Sequence, residues 1–302
     1  MNQRDVCPIC GVSHSVPVIF RHGYWHVRCS QCRTVYLRPM PSAGQIMAFY
    51  QNPDYFAGEA GTGYRDYSAM HKALAPHFRR RLGILTRHLP RRGRLLDFGC
   101  ADGYFLELAR ADGWEVTGLE ISAEMAETAS ARLSTLIVTS PDQLPPGEFD
   151  AITLWEVLEH LPDPVAELQR LAQRLRPGGI LMLSTPNAGH WQAVQMPDRW
   201  TAYRPPAHLI LFTVGSLRVV LEKAGLSTIR IWKVSPLPPL PGWLQEATAP
   251  LAHALADGTA RPWTLALMLW RGIRLLGWAW QRVARPQDDI FATLEALACR
   301  PE

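Results

Sequence analysis

The sequence predicts an α/β fold in which helices cover both faces of a mostly parallel β-sheet. Between residues 94 and 234, short apolar runs alternate with segments of helical periodicity. Two of the apolar runs end in an acid, Asp97 and Glu120, and a glycine-containing turn separates them. Such a strand–loop–helix–strand unit forms a nucleotide pocket at the carboxyl edge of a parallel sheet.

The first unit occupies residues 94–120. An apolar run reaches Asp97, a turn with Gly99, Ala101 and Gly103 follows, and residues 104–111 have a helical pattern. Glycine lets the backbone turn sharply and approach a ligand closely. The second strand, 114–119, delivers Glu120, whose carboxylate can accept two hydrogen bonds from ribose hydroxyls.

Further elements follow in the order that a parallel sheet needs. Residues 149–155 are predicted to form a buried strand, and Pro and Gly at 176–179 end the amphipathic helix predicted for 164–175. An apolar strand is predicted at 180–187, and a helix followed by a strand at 219–234. For the last residues, 289–299, a strand and a short helix both remain open.

Composition bounds the class of protein. The 302 residues are 47% apolar and 19% charged, with a net charge of +4, which is typical of a globular protein. Arginine strongly outnumbers lysine, and we interpret this as compositional. The first twenty residues lack a secretory pattern, and no uncharged apolar run reaches eighteen residues. We therefore expect a cytoplasmic protein.

Four cysteines near the N-terminus predict a metal site. Cys7, Cys10, Cys29 and Cys32 form C-x2-C-x18-C-x2-C. Two such pairs give a closed tetrahedral zinc site with a structural role, whereas disulfides are rare inside cells. The segment around them carries five arginines and one acid. Two interpretations stay open: a ribbon that contacts nucleic acid and a clamp that folds over the rest of the protein.

The motif D-x-G-x-A-x-G (97–103) resembles motif I of class I S-adenosylmethionine (SAM) methyltransferases, with Ala101 at a position that is usually glycine. The ordered VLEHLPDP, PGG and TPN segments extend the resemblance over about residues 40–233 and the final strand. It implies a Rossmann-like, seven-stranded, mostly parallel sheet whose last strand, 289–299, returns antiparallel. It also implies SAM as the cofactor.

The resemblance implies roles for individual residues. The backbone from Asp97 to Gly103 would surround the methionine part of SAM, and Glu120 would hold the ribose with Ile121 beside the adenine. Asp142 or Gln143 would meet the adenine amine. Trp155 and Glu156, at the end of the fourth strand, would line the floor near the sulfonium.

Candidates for the chemistry follow the strand ends. His160 and His208 are the predicted bases, and Glu156 and Glu159 stand behind them; a structural hydrogen bond is the alternative role for each histidine. Glu156, Glu159 and His160 also resemble the magnesium site of quinone-biosynthesis O-methyltransferases. Many metal-free relatives carry the same letters, so magnesium is the less favoured reading. Tyr64 and Tyr67 belong to an aromatic, glycine-rich segment interpreted as a lid.

The front of the chain resembles the zinc module and linker of bacterial methyltransferases that act on sugars, glycans and other metabolites, which favours the clamp. The expected organisation is a zinc ribbon (1–40), a lid and first helix (41–92), a SAM-binding core (93–234), a Pro-rich loop with a helical insertion (235–288) and a final strand with a tail (289–302).

The insertion contains a Trp- and Arg-rich segment, 263–285. It predicts either a helix that packs on the sheet or closes a dimer, which is the preferred reading, or one that lies in a membrane interface. The oligomeric state is left open.

The predicted reaction is SAM-dependent methyl transfer to a small molecule or glycan precursor, with O-methylation preferred. The alternatives are C-methylation of a keto-sugar, an RNA methyltransferase or nucleic-acid binder that docks through the ribbon, and a SAM-binding scaffold without turnover.

Overall fold

The computed structural model describes residues 6–50, 71–234, 263–284 and 289–302, together with residues 247, 250, 251 and 287. The strands, in chain order, are β1 (Ser15–Arg21), β2 (Tyr24–Cys29), β3 (Val35–Arg38), β4 (Arg94–Phe98), β5 (Glu115–Leu119), β6 (Phe149–Trp155), β7 (Leu175–Pro186), β8 (Ile210–Leu211), β9 (Ser227–Val234) and β10 (Thr293–Cys299). The helices are α1 (Ala43–Tyr50), α2 (His71–His88), α3 (Tyr104–Ala111), α4 (Ala123–Leu133), α5 (Pro164–Arg174), α6 (Trp191–Gln195), α7 (Val214–Lys223) and α8 (Trp263–Ala284).

The main sheet has the strand order β5-β4-β6-β7-β10-β9. The pairs β4–β5, β4–β6 and β6–β7 are parallel, and β10 is antiparallel to both of its neighbours. The predicted α/β class and the antiparallel return of the last strand are confirmed, and β10 settles the choice between strand and helix. Among the described residues Val138 forms only a single parallel bridge to Leu119. The main sheet therefore has six strands rather than the seven that the resemblance implies.

Side chains that alternate along the strands build a core on each face of the sheet. Leu95 packs with α2, α3 and α4, where Phe78, Phe105 and Ala129 are buried. Its neighbour Leu96 points to the other face, which is covered by residues of α5 and α7. This two-sided burial fixes the strand register and holds the carboxyl ends of β4, β5, β6 and β7 at one edge.

The N-terminal segment forms a second, four-stranded antiparallel sheet in the order β1-β2-β3-β8. Its edge strand β8 comes from the core, and Val35 pairs with Leu211. Arg28 donates hydrogen bonds to the carbonyls of Ala188 and Ala193, both at 3.3 Å. The ribbon therefore holds the segment that follows β7, as expected for a clamp.

One member of the arginine run of α2 is buried. A charge run on a helix usually forms a solvated face, but Arg81 is only 8% exposed. Its Nε donates to Glu295 Oε1 at 2.9 Å, and the Glu295 carboxylate on β10 is also buried. No local pattern indicates this burial, because Glu295 lies 214 residues away from Arg81 in sequence.

Helix α8 leaves an apolar face uncovered within the described parts of the chain. Its exposed apolar side chains are Leu265, Met268, Leu269, Leu275, Leu276, Trp280 and Val283. Packing on the sheet, closing a dimer and lying in a membrane interface all stay predictions for this helix. None of the helices among the described residues combines the length and apolar character needed to cross a bilayer.

Candidate functional site

The loop after β4 approaches the edge of the sheet with unusual backbone angles. Gly99, Ala101 and Gly103 have φ values of 81°, 46° and 78°. Left-handed angles suit glycine, and an alanine there is strained. The backbone N–H groups of Gly99 and Cys100 donate to the Leu119 carbonyl at 2.8 and 3.0 Å. The loop is thus tied to the tip of β5, where Glu120 follows.

Glu120 is the residue that organises this pocket. Its Oε2 accepts a hydrogen bond from the Ala101 N–H at 2.9 Å, and its Oε1 accepts one from the Ser122 N–H at 3.0 Å. Each carboxylate oxygen keeps a lone pair for a further donor. Burial raises the pKa of Glu120, and the backbone N–H donors oppose that shift. The carboxylate of Glu120 can therefore still accept hydrogen bonds from ribose hydroxyls.

Asp97 lies beneath the loop rather than in it. The side chain is 1% exposed, and its Oδ1 accepts a hydrogen bond from Thr153 Oγ1 at 2.6 Å. Burial raises the pKa of Asp97 to about 8, the Thr153 hydrogen bond lowers it, and the charge of Glu120 adds to the increase. The side chain of Asp97 therefore supports the loop from below.

Sequence reasoning missed Asp102, which fastens the same loop to two helices. Its Oδ2 lies 2.7 Å from His71 Nε2 and 3.0 Å from Arg132 Nη2. The His71 ring stacks on Tyr104 at a centroid distance of 3.9 Å. The sign of this role in the sequence was an acid within the motif D-x-G-x-A-D-G. Its partners lie on α2 and α4, far from the motif in sequence.

The residues predicted to bind adenine differ in their exposure and hydrogen bonds. Ile121 is 46% exposed directly after Glu120, so it offers an apolar edge to a ring. Gln143 has a structural role, because its Oε1 accepts from the N–H groups of Thr139 and Ser140. Asp142 is exposed on the same 3₁₀ turn. Because these hydrogen bonds occupy the side-chain oxygen of Gln143, Asp142 is the better candidate of the two for the adenine amine.

Trp155 is the last residue of β6 and Glu156 follows it. The Trp155 ring packs on Phe105, and the Arg81 guanidinium lies 4.3 Å from the ring centre. Glu156 adopts a positive φ of 55°, and its N–H donates to the Ser184 carbonyl at 3.1 Å. Burial raises the pKa of Glu156, with opposing effects from Ser184 and then Arg81.

The two predicted bases meet beyond the ends of β6 and β7. The rings of His160 and His208 lie edge to face at 4.9 Å. Glu159, His160 and His208 each place one ligand atom within 4.8 Å of the others. Glu159 is fully buried, and its Oε2 accepts a hydrogen bond from Thr185 Oγ1 at 2.9 Å. Glu156, which the predicted magnesium triplet included, is not a member of this group.

Backbone carbonyls orient both imidazoles. His160 Nδ1 lies 2.9 Å from the Ala207 carbonyl, and His208 Nδ1 lies 2.8 Å from the Ala202 carbonyl. Since a carbonyl only accepts, Nδ1 carries the proton in each ring and Nε2 is left as an acceptor. Burial lowers the pKa of His160 to about 4, and that of His208 well below its usual value.

Tyr50 on α1 also contacts this cluster, although no motif in the sequence marks it. Its hydroxyl lies 2.6 Å from His160 Nδ1. The predicted lid tyrosines, Tyr64 and Tyr67, fall outside the described residues. The backbone of Leu209 connects the cluster to the ribbon, because its N–H donates to the Glu159 carbonyl at 2.8 Å and its carbonyl accepts from Leu37 at 3.0 Å.

The four N-terminal cysteines converge as their spacing predicts. The sulfurs of Cys7 and Cys32, and those of Cys10 and Cys29, are 3.5 Å apart, and all four lie within 4.8 Å of one another. Tetrahedral zinc with bonds of about 2.3 Å places its sulfurs about 3.8 Å apart. A disulfide needs about 2.05 Å. The cluster therefore has the dimensions of a zinc site.

A family model described as a methyltransferase domain matches residues 68–231, which is more than half of the chain. The chain belongs to this methyltransferase family. The matched region contains the loop after β4, Glu120 and the Glu159–His160 turn. The resemblance to class I SAM-dependent methyltransferases is confirmed.

Similar sequences share one description. A ubiquinone biosynthesis O-methyltransferase of Xanthomonas campestris pv. campestris (strain B100) is 40% identical over 103 residues, which are 31% of this chain and 43% of the relative. The protein of the same name from Pectobacterium carotovorum subsp. carotovorum is 36% identical over 105 residues, with the same coverage. The chain thus spans less than half the length of these relatives.

Solved structures confirm the fold. Phosphoethanolamine N-methyltransferase 2 of Haemonchus contortus, in complex with S-adenosyl-L-methionine, aligns with a TM-score of 0.55 and 18% identity over 89% of this chain and 62% of that protein. A SAM-dependent methyltransferase of Archaeoglobus fulgidus aligns with a TM-score of 0.54 and 17% identity over 82% of this chain and all of that one. At these identities the likeness concerns the fold alone.

Proposed function

We propose that the protein transfers a methyl group from SAM to a hydroxyl oxygen of a small acceptor. The observation that carries the proposal is the position of two sites on one edge of the main sheet. The Glu120 pocket lies at the ends of β4 and β5, and the Glu159–His160–His208 cluster lies beyond the ends of β6 and β7. Ligands of such sheets bind at this edge.

The residues around Glu120 fit the proposed cofactor. Glu120 would hold the ribose hydroxyls, Ile121 would cover the adenine, and Asp142 would meet its amine. The left-handed backbone of Gly99, Ala101 and Gly103 would bring peptide groups close to the methionine part. When bound, SAM supplies an electrophilic methyl group on a sulfonium.

The cluster fits an acceptor hydroxyl. Methyl transfer needs a positioned nucleophile that loses its proton. The Nε2 atoms of His160 and His208 are the acceptors that the hydrogen bonds to Ala207 and Ala202 leave available. Buried neutral imidazoles and a buried carboxyl suit a hydroxyl better than a cation. Glu156 would act from the end of β6 by positioning the acceptor.

The O-methyltransferase names of the similar sequences support oxygen as the nucleophile. We propose an acceptor with a hydroxyl on a small ring or on a glycan precursor. C-methylation of a keto-sugar would need the same base, and RNA methylation would need a basic docking face on the ribbon. These two reactions are alternative outcomes of the test below.

We also propose that zinc occupies the site of Cys7, Cys10, Cys29 and Cys32 and has a structural role. Four thiolates saturate tetrahedral zinc, so no position is left for a substrate. Zinc would fix the ribbon, and the ribbon holds the segment that follows β7 through Arg28. The nucleic-acid reading is less favoured, because Arg28 is buried in these contacts.

A screen for the acceptor tests the reaction. The protein is incubated with cell extract and SAM that carries a labelled methyl group, and labelled products are identified by mass. We expect one small product with a methyl ether. Label in RNA or on carbon would replace the proposed acceptor class. SAM binding without labelled product in any extract would favour a scaffold.

Helix α8 is proposed to contact a membrane interface. At 100° per residue, its exposed apolar side chains fall within about 140° of the circumference, and its arginines lie on the adjoining side. The helix contains no acidic residue. This combination suits an anionic lipid surface.

Vesicle flotation separates that proposal from a dimer. Full-length protein should float with anionic vesicles, and Leu276→Glu with Trp280→Glu should abolish flotation. Arg170→Gln, which changes an exposed side chain of α5, is the control. Concentration-dependent dimerisation without flotation would instead indicate that a second copy covers the face.

A further inference from the structure

Arg204 is a cation beside the Glu159–His160–His208 cluster that has no acidic partner. It lies four residues before His208, and its carbonyl accepts a hydrogen bond from the His208 N–H at 2.9 Å. The residue is half-buried. Within the part of the chain that the structure describes, its guanidinium makes no hydrogen bond and no ion pair. We propose that the acceptor carries an anionic group, a carboxylate or a phosphate, and that Arg204 binds this group.

The charge of Arg204 acts on each member of the cluster. Burial is the main reason why the pKa of His160 falls to about 4 and that of His208 well below its usual value, and Arg204 lowers both further. Burial and then the charge of Glu156 raise the pKa of Glu159, whereas Arg204 opposes this increase. Coulombic effects fall off with distance, so the guanidinium lies beside the cluster. An anion bound to it would lie there too.

The surroundings of Arg204 supply little negative charge. Residues 188–209 include one acid, Asp198, which is exposed on the short turn Pro197–Arg199. Glu159 is fully buried, and because burial raises its pKa well above the usual value, it does not provide a stable negative charge. A positive charge without an acidic partner, next to buried uncharged groups, favours an anionic ligand.

Two arginines of the ribbon add positive charge behind the same segment. Arg21 donates hydrogen bonds to the carbonyls of Tyr203 and Trp200, at 2.9 and 3.4 Å. The buried Arg28 donates to the Tyr203 hydroxyl at 3.4 Å. These partners are uncharged, so they hold the two guanidinium groups in place without neutralising them. Of these three arginines, Arg204 is the one whose guanidinium is still available to a ligand.

The shape of a guanidinium suits the proposed ligand. Its planar N–H groups can donate two parallel hydrogen bonds to a carboxylate or a phosphate. The Nε2 atoms of His160 and His208 remain available for the hydroxyl, so different residues would bind the two ends of one acceptor. The role of Arg204 rests on the proposed function, because the cluster has to face the reacting hydroxyl. Arg204 would orient the acceptor and select it by charge, and it would take no proton.

The charge of the methylated product tests this assignment. Full-length protein is incubated with cell extract and SAM that carries a labelled methyl group, and the labelled product is applied to an anion-exchange column at neutral pH. We expect the column to retain the product until salt elutes it, and mass spectrometry then distinguishes a carboxylate from a phosphate. A labelled product that passes through unretained would overturn the anionic acceptor and leave methyl transfer standing. No labelled product at all would contradict the proposed function itself.

Variants of Arg204 test the residue. At limiting extract, Arg204→Gln should lower the initial rate of label transfer more than about tenfold, which is the size of effect expected for a lost hydrogen bond to a charged group. Arg204→Lys should recover part of the rate, because it keeps the charge but not the paired donors. A higher extract concentration should reduce the difference, since the defect concerns acceptor binding.

Arg199→Gln is the matched control, because Arg199 is an exposed arginine five residues earlier in the same segment. It should keep the wild-type rate. Calorimetry should give SAM affinities within about threefold of wild type for all of these variants, which shows that they fold and that the cofactor side is intact. Equal rates in Arg204→Gln and Arg199→Gln would overturn the role of Arg204.

Discussion

The carboxylate of Glu120 accepts a hydrogen bond from the backbone N–H of Ala101, across the gap between two neighbouring parallel strands. This single contact joins the acid that would hold the ribose to the loop that would surround the methionine part. It also explains how the loop keeps its shape although alanine replaces glycine at its centre.

The strain at Ala101 should be measurable. The left-handed conformation of Ala101 costs about 1 kcal/mol, and Ala101→Gly removes that cost. The glycine also raises the conformational entropy of the unfolded chain, which lowers stability by a similar amount. We expect a change in the free energy of unfolding within about 1 kcal/mol and SAM affinity within about threefold of wild type. Ala101→Val should lower the free energy of unfolding by more than 1 kcal/mol, as measured by urea denaturation. Equal stability of the valine variant would show that the loop is not held in this conformation.

The buried contact between Glu295 and Arg81 should contribute strongly to stability. Glu295→Gln leaves Arg81 and its neighbour Arg80, which also pairs with Glu295, without their carboxylate. Breaking a buried pair costs about 3–5 kcal/mol. Glu148→Gln removes a carboxylate from Arg300 at a half-exposed site, where the cost is about 0–1 kcal/mol. Chemical denaturation of both variants tests the difference. Similar losses would mean that solvent reaches Glu295.

Asp97 should make stability depend on pH. Its pKa is about 8 in the folded protein against an ordinary value of 3.8, so the folded state binds a proton that the unfolded state has lost. Its stabilising contribution is complete below about pH 4 and is lost as pH rises to about 8, at no more than about 1.4 kcal/mol per pH unit. Asp97→Asn, which can still accept from Thr153, should flatten this decline. An unchanged profile in the variant would show that Asp97 is not the group responsible.

The ribbon should hold the segment after β7. We expect about one structural zinc per chain by metal analysis and its loss in a Cys7→Ser, Cys10→Ser double variant. Zinc loss should free β3 from β8 and expose residues 197–209 to limited proteolysis. Cys299→Ser is the control, because Cys299 lies on β10 away from the ribbon. Zinc loss without faster cleavage at 197–209 would show that the ribbon does not hold this segment.

Local patterns were sufficient for most of the fold. The helix at Pro164–Arg174 and the strand at Phe149–Trp155 follow directly from periodicity and from Pro and Gly. The seventh strand that the resemblance implies is missing from the described sheet, where Val138 makes one bridge and the nearby Leu136 is 80% exposed. The resemblance grouped Glu156 with Glu159 and His160, but Glu156 has a left-handed backbone and lies outside the observed group.

Long-range contacts account for what the sequence could not predict. The partnership of His160 with His208 depends on the ribbon, because β3 holds the segment from Leu209 onward. Tyr50 reaches His160 across 110 residues. Neither contact leaves a periodic or spacing signal. The pocket around Glu120 could be predicted because its residues are close in sequence, whereas the cluster around His160 is assembled from three distant segments.

Calorimetric titration of SAM into wild-type protein and Glu120→Gln tests the central claim most directly. Glu124→Gln, which changes an exposed acid at the start of α4, is the control. We predict one SAM per chain for wild type and Glu124→Gln, and affinity about 10–100-fold weaker for Glu120→Gln, since a hydrogen bond to a charged group contributes about 1.5–3 kcal/mol. Equal affinity in all three proteins, or no binding by the folded wild type, would contradict the account.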